Sequence, residues 1–390
     1  MKTLKRTWAD ISLDNLEYNY PSIRAHLPQG TKFLGVMKAD AYGHGAVPVS
    51  RALADLGAEY LAVSNLEEAV QIRRGEVRLP ILILGYTPAE YAANMIFLDI
   101  TQEVHSLEYA RELNEALAGT NYILNVHLKL DTGMTRIGFF AYDNERTLDE
   151  LRQVAQLPHL HIEGVFMHFC VADSRAEADV SFTKLQYKRF MDMLSAMAGV
   201  GIRPEIRHCC NSGATILYPE FALDMVRPGI ITYGNAPSDE LAGALSLRPM
   251  MSLHSMIAQV RTVPAGTDIS YGRLYRTKEE TRVAVLPIGY ADGLSRLLTG
   301  KASFYLQGHQ VPVIGRICMD MCMIDVSGVP EAKPGDVVTI FGYDDDGTLL
   351  PCERLARAQG TINYELLCQI SKRIPRICHR GAETSQILQY

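Results

Sequence analysis

The feature that most constrains this 390-residue chain is an alternation of short apolar runs with amphipathic stretches that fills its first 240 residues and then stops. Candidate strands are Lys32–Met37, Glu59–Ser64, Leu79–Leu84, Phe97–Thr101, Asn121–Leu130, His161–His168, Glu205–Cys209 and Leu223–Val226. Amphipathic segments such as Val47–Leu56, Leu66–Arg73, Ser106–Leu117 and Ala176–Met197 lie between them. Strand–helix alternation calls for parallel βαβ units. Eight of them in this length suit an α/β fold of the (β/α)8 TIM-barrel type better than an open doubly wound sheet. No GxGxxG follows any of these strands, which weakens a dinucleotide-binding reading.

Past about Gly243 the texture changes to strand-like runs: Met256–Val263, Thr281–Leu286, Ser303–Leu306, Val311–Val313, Met321–Val326 and Asp336–Phe341. Turn signals such as Gln307-Gly308 and Lys333-Pro334-Gly335 separate them. The expected division is therefore a barrel over 1–242 and a mostly β domain over 243–390. The early run Trp8–Ser12 is free to pair with the β domain instead of the barrel.

Composition narrows the class. Hydrophobic residues are 47% and charged residues 21%, as in a soluble enzyme. The net charge of −6 comes with no Lys/Arg block, which argues against nucleic acid or an anionic membrane as partner. The N-terminus lacks an apolar core for secretion, and the longest apolar stretches, such as Leu79–Gly85, are strand-sized. A cytoplasmic setting is expected. The eight cysteines show neither disulfide-scaffold nor zinc-ligand spacing, so they read as buried free thiols, with no metal.

In a barrel, functional residues belong at the C-terminal strand ends. Lys38 directly follows the first strand in VMKADAYGHG, where apolar neighbours would favour its neutral, nucleophilic amine. Taken alone it would be a solvated surface lysine. Beside it, Tyr42-Gly43-His44-Gly45 reads as an unusual, flexible connection that can bring a phenol to a ligand. Asn211-Ser212-Gly213 after strand seven and Arg227-Pro228-Gly229-Ile230 after strand eight stand where barrel enzymes often bind phosphate. Each loop alone would be an ordinary N-cap or turn. The fifth strand runs into HLKLDTGMTRIG, where Lys129 and Asp131 share a face and Arg136 suits a carboxylate. Two basic groups so placed repel, so Lys129 needs distance or neutralisation. His168, ending strand six, is equally a core histidine or a site residue.

Together VMKADAYGHG, LKLDTGMTRIG, MHFCVAD, NSGA, DMVRPGIITYG, ISYG, PIGYADG, GRICMDMCMIDV and TINYELLCQISKRIPR closely resemble the alanine racemase family over nearly the whole chain. The resemblance implies pyridoxal 5′-phosphate held by Lys38 as a Schiff base. It implies two opposed bases, Lys38 for D-alanine and Tyr271 of the partner subunit for L-alanine, in a homodimer with shared sites. Tyr42, Ser212, Gly229, Ile230 and Tyr364 would hold the phosphate, with Asn211 beside them. Arg227 would donate to the pyridine nitrogen, His168 would support that arginine, and Arg136 with the backbone of Met319 would take the substrate carboxylate. Lys129 matches a lysine that is carbamylated in many relatives. D-Alanine for cell-wall synthesis is the implied role. Departures are Cys170, Cys209 and Cys210 at places where small uncharged residues are commoner, and Thr135 beside Arg136, often glycine. Rival readings are a serine or broad-specificity racemase on the same scaffold, a non-catalytic carrier of the cofactor, and a decarboxylase. Tyr271 and Met319 speak against the carrier, and Arg227 against the decarboxylase.

Overall fold

The computed structural model describes residues 6–142, 144–381 and 383–388. The chain divides into two compact units. One comprises Glu17–Ala41 and Ala46–Leu247; the other comprises the described residues up to Leu16, Tyr42–Gly45 and those from Arg248 on.

The first unit is a ring of parallel strands. In order they are Lys32–Val36, Tyr60–Val63, Ile81–Ile83, Ile100–Val104, Leu124–Asp131, Leu160–Phe166, Ile206–His208 and Met225–Val226. The first seven pair in succession, and the last pairs with the first. The ring closes between strands seven and eight, where Asp224 N–H donates to the Arg207 carbonyl at 3.1 Å and Arg227 N–H to the Cys210 carbonyl at 2.9 Å. The helices between them include Ala46–Asp55, Leu66–Arg74, Leu107–Ala116 and Glu177–Gly199, and they cover the outside. Strand residues are thus buried on both faces, as the unbroken burial of Val126–Asp131 shows.

The fourth strand departs from expectation. Ile100–Val104 forms it, whereas Phe97 ends the helix Ala92–Phe97 and is 89% exposed. Asp99 at φ 51° makes the turn between them, its N–H donating to the Ile96 carbonyl at 3.0 Å. Hydrophobicity alone had drawn Phe97 into the strand.

The second unit is a mostly antiparallel sheet. Thr7–Ser12 lies in its interior, antiparallel to Met251–Met256 and parallel to Arg376–Arg380. The single run expected at Met256–Val263 is two strands, Met251–Met256 and Gln259–Val263, which the chain sends to different neighbours at Ile257-Ala258. Two strands near the end, Arg376–Arg380 and Glu383–Leu388, had no counterpart among the expected runs.

Directly after Lys38 the backbone turns left-handed: Ala39, Asp40, Ala41 and Tyr42 take φ between 51° and 55°. L-residues lose roughly 1–2 kcal/mol each in this conformation. Hydrogen bonds offset part of that cost. Ala39 N–H donates to Glu68 Oε1 at 2.7 Å, and Asp40 Oδ1 accepts from Ala46 N–H at 2.8 Å and from Gln71 at 3.3 Å. The connection expected to be flexible is instead sealed. Tyr42 and His44 are buried, and the buried Arg376 donates from Nε to the Gly43 carbonyl at 2.9 Å. Gly43 sits at φ 82°, and a Cβ there would meet the Leu367 carbonyl oxygen at 2.6 Å.

Ala39 is exposed, so Ala39→Gly removes little packing and relieves the left-handed strain. Denaturant unfolding should show stability unchanged or raised by up to about 1 kcal/mol. A loss of about 1 kcal/mol, the usual cost of glycine in an ordinary helix, would show that the turn is not strained.

Candidate active site

The C-terminal mouth of the barrel gathers positive charge. His168, two residues past strand six, is pushed well below the ordinary imidazole range, first by burial and then by Arg227, Lys129, Arg136 and Lys38. Four basic groups from three strands, the first, fifth and eighth, therefore bear on one imidazole. Lys129 projects from strand five, with its Nζ 4.6 Å from the Phe166 ring centroid. Burial, then Arg227 and Arg136, push its amine well down, while Glu103 and Asp131 pull the other way. Arg136 is exposed, on a loop shaped by Asp131, whose Oδ1 accepts from Gly133 N–H at 2.9 Å and Thr135 N–H at 3.0 Å.

Arg227 is the most enclosed of the four, at 3% exposure. Its NH1 group donates to His208 Nδ1 at 3.0 Å and the His208 carbonyl at 3.1 Å. Its NH2 group donates to the carbonyls of Met167 (2.7 Å) and Cys209 (3.1 Å), and to His168 Nδ1 at 3.3 Å. Burial pushes its pKa down to about 10, so it stays charged at neutral pH. Among the described residues no group accepts from its Nε–H.

The arginine heads a polar line through the barrel interior that sequence reasoning missed. His208 Nε2 lies 2.9 Å from His127 Nδ1, and His127 Nε2 lies 3.1 Å from Glu163 Oε2. Glu163 also accepts from the Tyr60 hydroxyl at 2.8 Å and from Thr101 at 3.2 Å. Arginine can only donate and an ionised carboxylate can only accept. The two ends therefore fix every proton between them: His208 carries its proton on Nε2, His127 on Nε2, and both imidazoles are neutral. Burial leads in depressing both, with Arg227 adding to it. Glu163 is held below the ordinary carboxylate range, because the bonds from His127, Tyr60 and Thr101 outweigh the opposing effect of burial. Gly164 makes room for the line, since a Cβ there would lie 2.5 Å from the His127 ring. The available signal was modest: histidines and a glutamate inside otherwise apolar strands.

The two predicted phosphate loops meet. Gly229 N–H donates to Ser212 Oγ at 2.9 Å, and Ser212, Gly229 and Ile230 are buried. Asn211 is occupied as the cap of helix Ser212–Leu217, accepting from Ala214 N–H at 3.0 Å and donating to the Phe169 carbonyl at 3.2 Å. Beside it, Cys209 and Cys210 are buried with their sulfurs 4.0 Å apart. The thiols are not all buried, however. Cys170, in the loop after strand six, and Cys368, in helix Asn363–Gln369, are exposed.

In the second unit, Tyr42 and Tyr364 bring their rings to 5.9 Å, with burial raising the Tyr42 phenol. Tyr271 is 69% exposed and follows Ser270 at φ 66°, whose hydroxyl donates to the Arg316 carbonyl at 2.6 Å. Met319 is exposed as a side chain but fixed as backbone, its carbonyl accepting from Ala291 N–H at 3.0 Å. No cluster of three or more metal-ligating side chains occurs among the described residues. No described helix is long and apolar enough to cross a membrane.

This arrangement has relatives across its whole length. Residues 11–237 match the family model for the alanine racemase N-terminal domain, and residues 250–378 match that for its C-terminal domain. Alanine racemase of Desulfovibrio desulfuricans is 46% identical, covering 95% of this chain and 97% of its own. That of Clostridium tetani is 42% identical over 100% and 99%. Among solved structures, alanine racemase of Clostridium difficile 630 superposes with a TM-score of 0.93 at 40% identity, covering 100% of both chains. That of Bacillus anthracis with bound L-Ala-P gives 0.92 at 34%, covering 100% of this chain and 99% of its own. Both family models and these full-length matches agree, and the chain belongs to the alanine racemase family.

Proposed function

We propose that this enzyme interconverts L- and D-alanine with pyridoxal 5′-phosphate, as a cytoplasmic homodimer supplying D-alanine for peptidoglycan. The observation that carries the reading is the convergence of Lys38, Lys129, Arg136 and Arg227 on His168, a concentration of charge suited to an anionic cofactor and a carboxylate substrate. The residues fit the cofactor. The Nε–H left over on Arg227 suits a pyridine nitrogen. The Ser212 hydroxyl, the Gly229 and Ile230 backbone and the paired Tyr42 and Tyr364 phenols suit a phosphate. Bound there, pyridoxal phosphate would draw electrons from the amino acid's Cα and make its proton acidic.

The chain's own groups then have distinct tasks. Arg227, supported by His168, can donate to the ring nitrogen but cannot protonate it, which limits electron withdrawal and disfavours side reactions. Lys38 holds the cofactor and moves the Cα proton on the face used by D-alanine. Tyr271, from the partner subunit, moves it on the face used by L-alanine. The backbone of Met319 and the guanidinium of Arg136 receive the carboxylate. The barrel, residues 1–242 apart from the early strand Thr7–Ser12 that joins the β sheet, contributes Lys38 and the cofactor loops, and the β domain, residues 243–390, contributes Tyr271 and Met319. Exposed Tyr271, Leu274, Tyr290, Met319 and Met321 support a partner-facing surface on that domain.

Racemisation of L-alanine and L-serine, assayed side by side on the purified enzyme, should show alanine turned over well and serine poorly. Comparable rates would favour the broad-specificity reading, and no turnover of either would end the racemase proposal. Lys38→Ala should abolish turnover, and Tyr271→Phe should slow exchange of the L-alanine Cα proton with solvent by about 10²–10⁴-fold, far more than that of D-alanine. Equal effects on both enantiomers would remove Tyr271 from its face-specific role.

The neutral imidazoles also set a pH dependence. His127, His168 and His208 bind protons less readily when folded, so below about pH 6.5 the unfolded chain takes up protons that the native one does not. The histidines contribute no slope above about pH 7. Below about pH 6.5 stability should fall by up to about 1.4 kcal/mol per pH unit for each histidine. Urea unfolding of His208→Gln should give a shallower fall, and an unchanged slope would show that His208 is not held neutral.

A further inference from the structure

Lys129 presents an unresolved choice. Burial and two guanidiniums weaken the amine's hold on its proton, and the unprotonated form of a buried amine adds carbon dioxide to give a carbamate and a proton. That anion would relieve the crowding of positive charge, and the family resemblance leads to the same expectation. A neighbouring residue argues otherwise.

Glu103 lies on the fourth barrel strand, paired in parallel register with His127, two residues before Lys129 on strand five. Thr101, two residues earlier on its own strand, reaches Glu163 in the barrel interior. Glu103 therefore faces the same interior as His127 and Lys129. Its side chain is fully buried. Oε1 accepts from His105 Nδ1 at 2.9 Å, and the buried Oε2 has no hydrogen-bond partner. An ionised carboxylate oxygen left bare in a protein interior is costly unless a positive charge stands near it. Lys129, on the adjacent strand and the same face, supplies one, and Glu103 counters the fall in its proton affinity.

We propose that Glu103 supplies, as a fixed side chain, the negative charge that a carbamate on Lys129 would supply, so that Lys129 keeps a free, unmodified amine in this protein. Two effects act together. The carboxylate helps the amine hold its proton, which removes the lone pair that attacks carbon dioxide, and a carbamate beside it would be a second anion in a site needing one. Glu103 is thus a positioning residue, acting on the cofactor site through Lys129, and the inference rests on the site assignment proposed above.

The test is carbon-13 NMR of the holoenzyme equilibrated with ¹³C-bicarbonate. The wild type should show no carbamate carbon, and Glu103→Gln should show one, at about one per chain, that disappears in the double variant Glu103→Gln/Lys129→Ala. A carbamate signal in the wild type overturns the proposal. Its absence from both the wild type and Glu103→Gln overturns the assignment to Glu103. If Glu103→Gln does not fold, Glu103→Thr is read by the same criterion. The signal is independent of turnover, so racemisation measured on the same samples separates failure of this inference from failure of the functional reading.

Discussion

A guanidinium enclosed by a barrel of apolar strands sets the terms for everything around it. Burying an uncompensated charge costs several kcal/mol even after relaxation, and Arg227 is 3% exposed. Three backbone carbonyls and two imidazoles accept its hydrogens. Because arginine has no acceptor, His208 must present a bare nitrogen, which orders His127 and finally demands a carboxylate at Glu163. The same charge helps keep His168 neutral and depresses Lys129. Phe166 fits this layer as well: Lys129 and Arg227 lie over its ring, and His208 stacks on it at 4.9 Å. Cation–ring attraction gives these buried charges a partner that needs no counter-ion of its own.

The line from Arg227 to Glu163 also explains the polar core of strands that are otherwise filled with branched apolar residues. Barrel interiors are ordinarily packed with such residues. Here one file of interior positions is given to hydrogen bonds, and the space is found by dropping a side chain altogether at Gly164. Thr101 and Tyr60 complete the carboxylate's coordination at the far end. A half-satisfied network would be worse than an apolar core. This one has a donor for every acceptor along its length.

Much of this was legible in the sequence, for identifiable reasons. All eight barrel strands were found because covering helices leave strands rich in apolar residues, short runs that stand out against amphipathic segments. The fourth was misplaced because Phe97 is apolar yet exposed. The mouth residues were readable because Lys38, Arg136, His168 and Arg227 follow strand ends. His208, His127 and Glu163 were not, since what makes them a unit is lateral contact between strands far apart in sequence. Glu103 escaped notice for the same reason: its neighbour Lys129 is 26 positions away but on the adjoining strand. The resemblance carried Tyr271 and Met319, whose roles no local pattern announces.

The turn after Lys38 was invisible for a different reason. Alanine, aspartate and tyrosine carry no signature of positive φ, and only the folded surroundings impose it. Its handedness is the one that D-residues adopt at ease, so a D-alanine placed at position 39 or 41 by chemical synthesis would relax the segment without changing its path. Lys38 is thus followed by four L-residues in a conformation natural to the enantiomer that the enzyme is proposed to make.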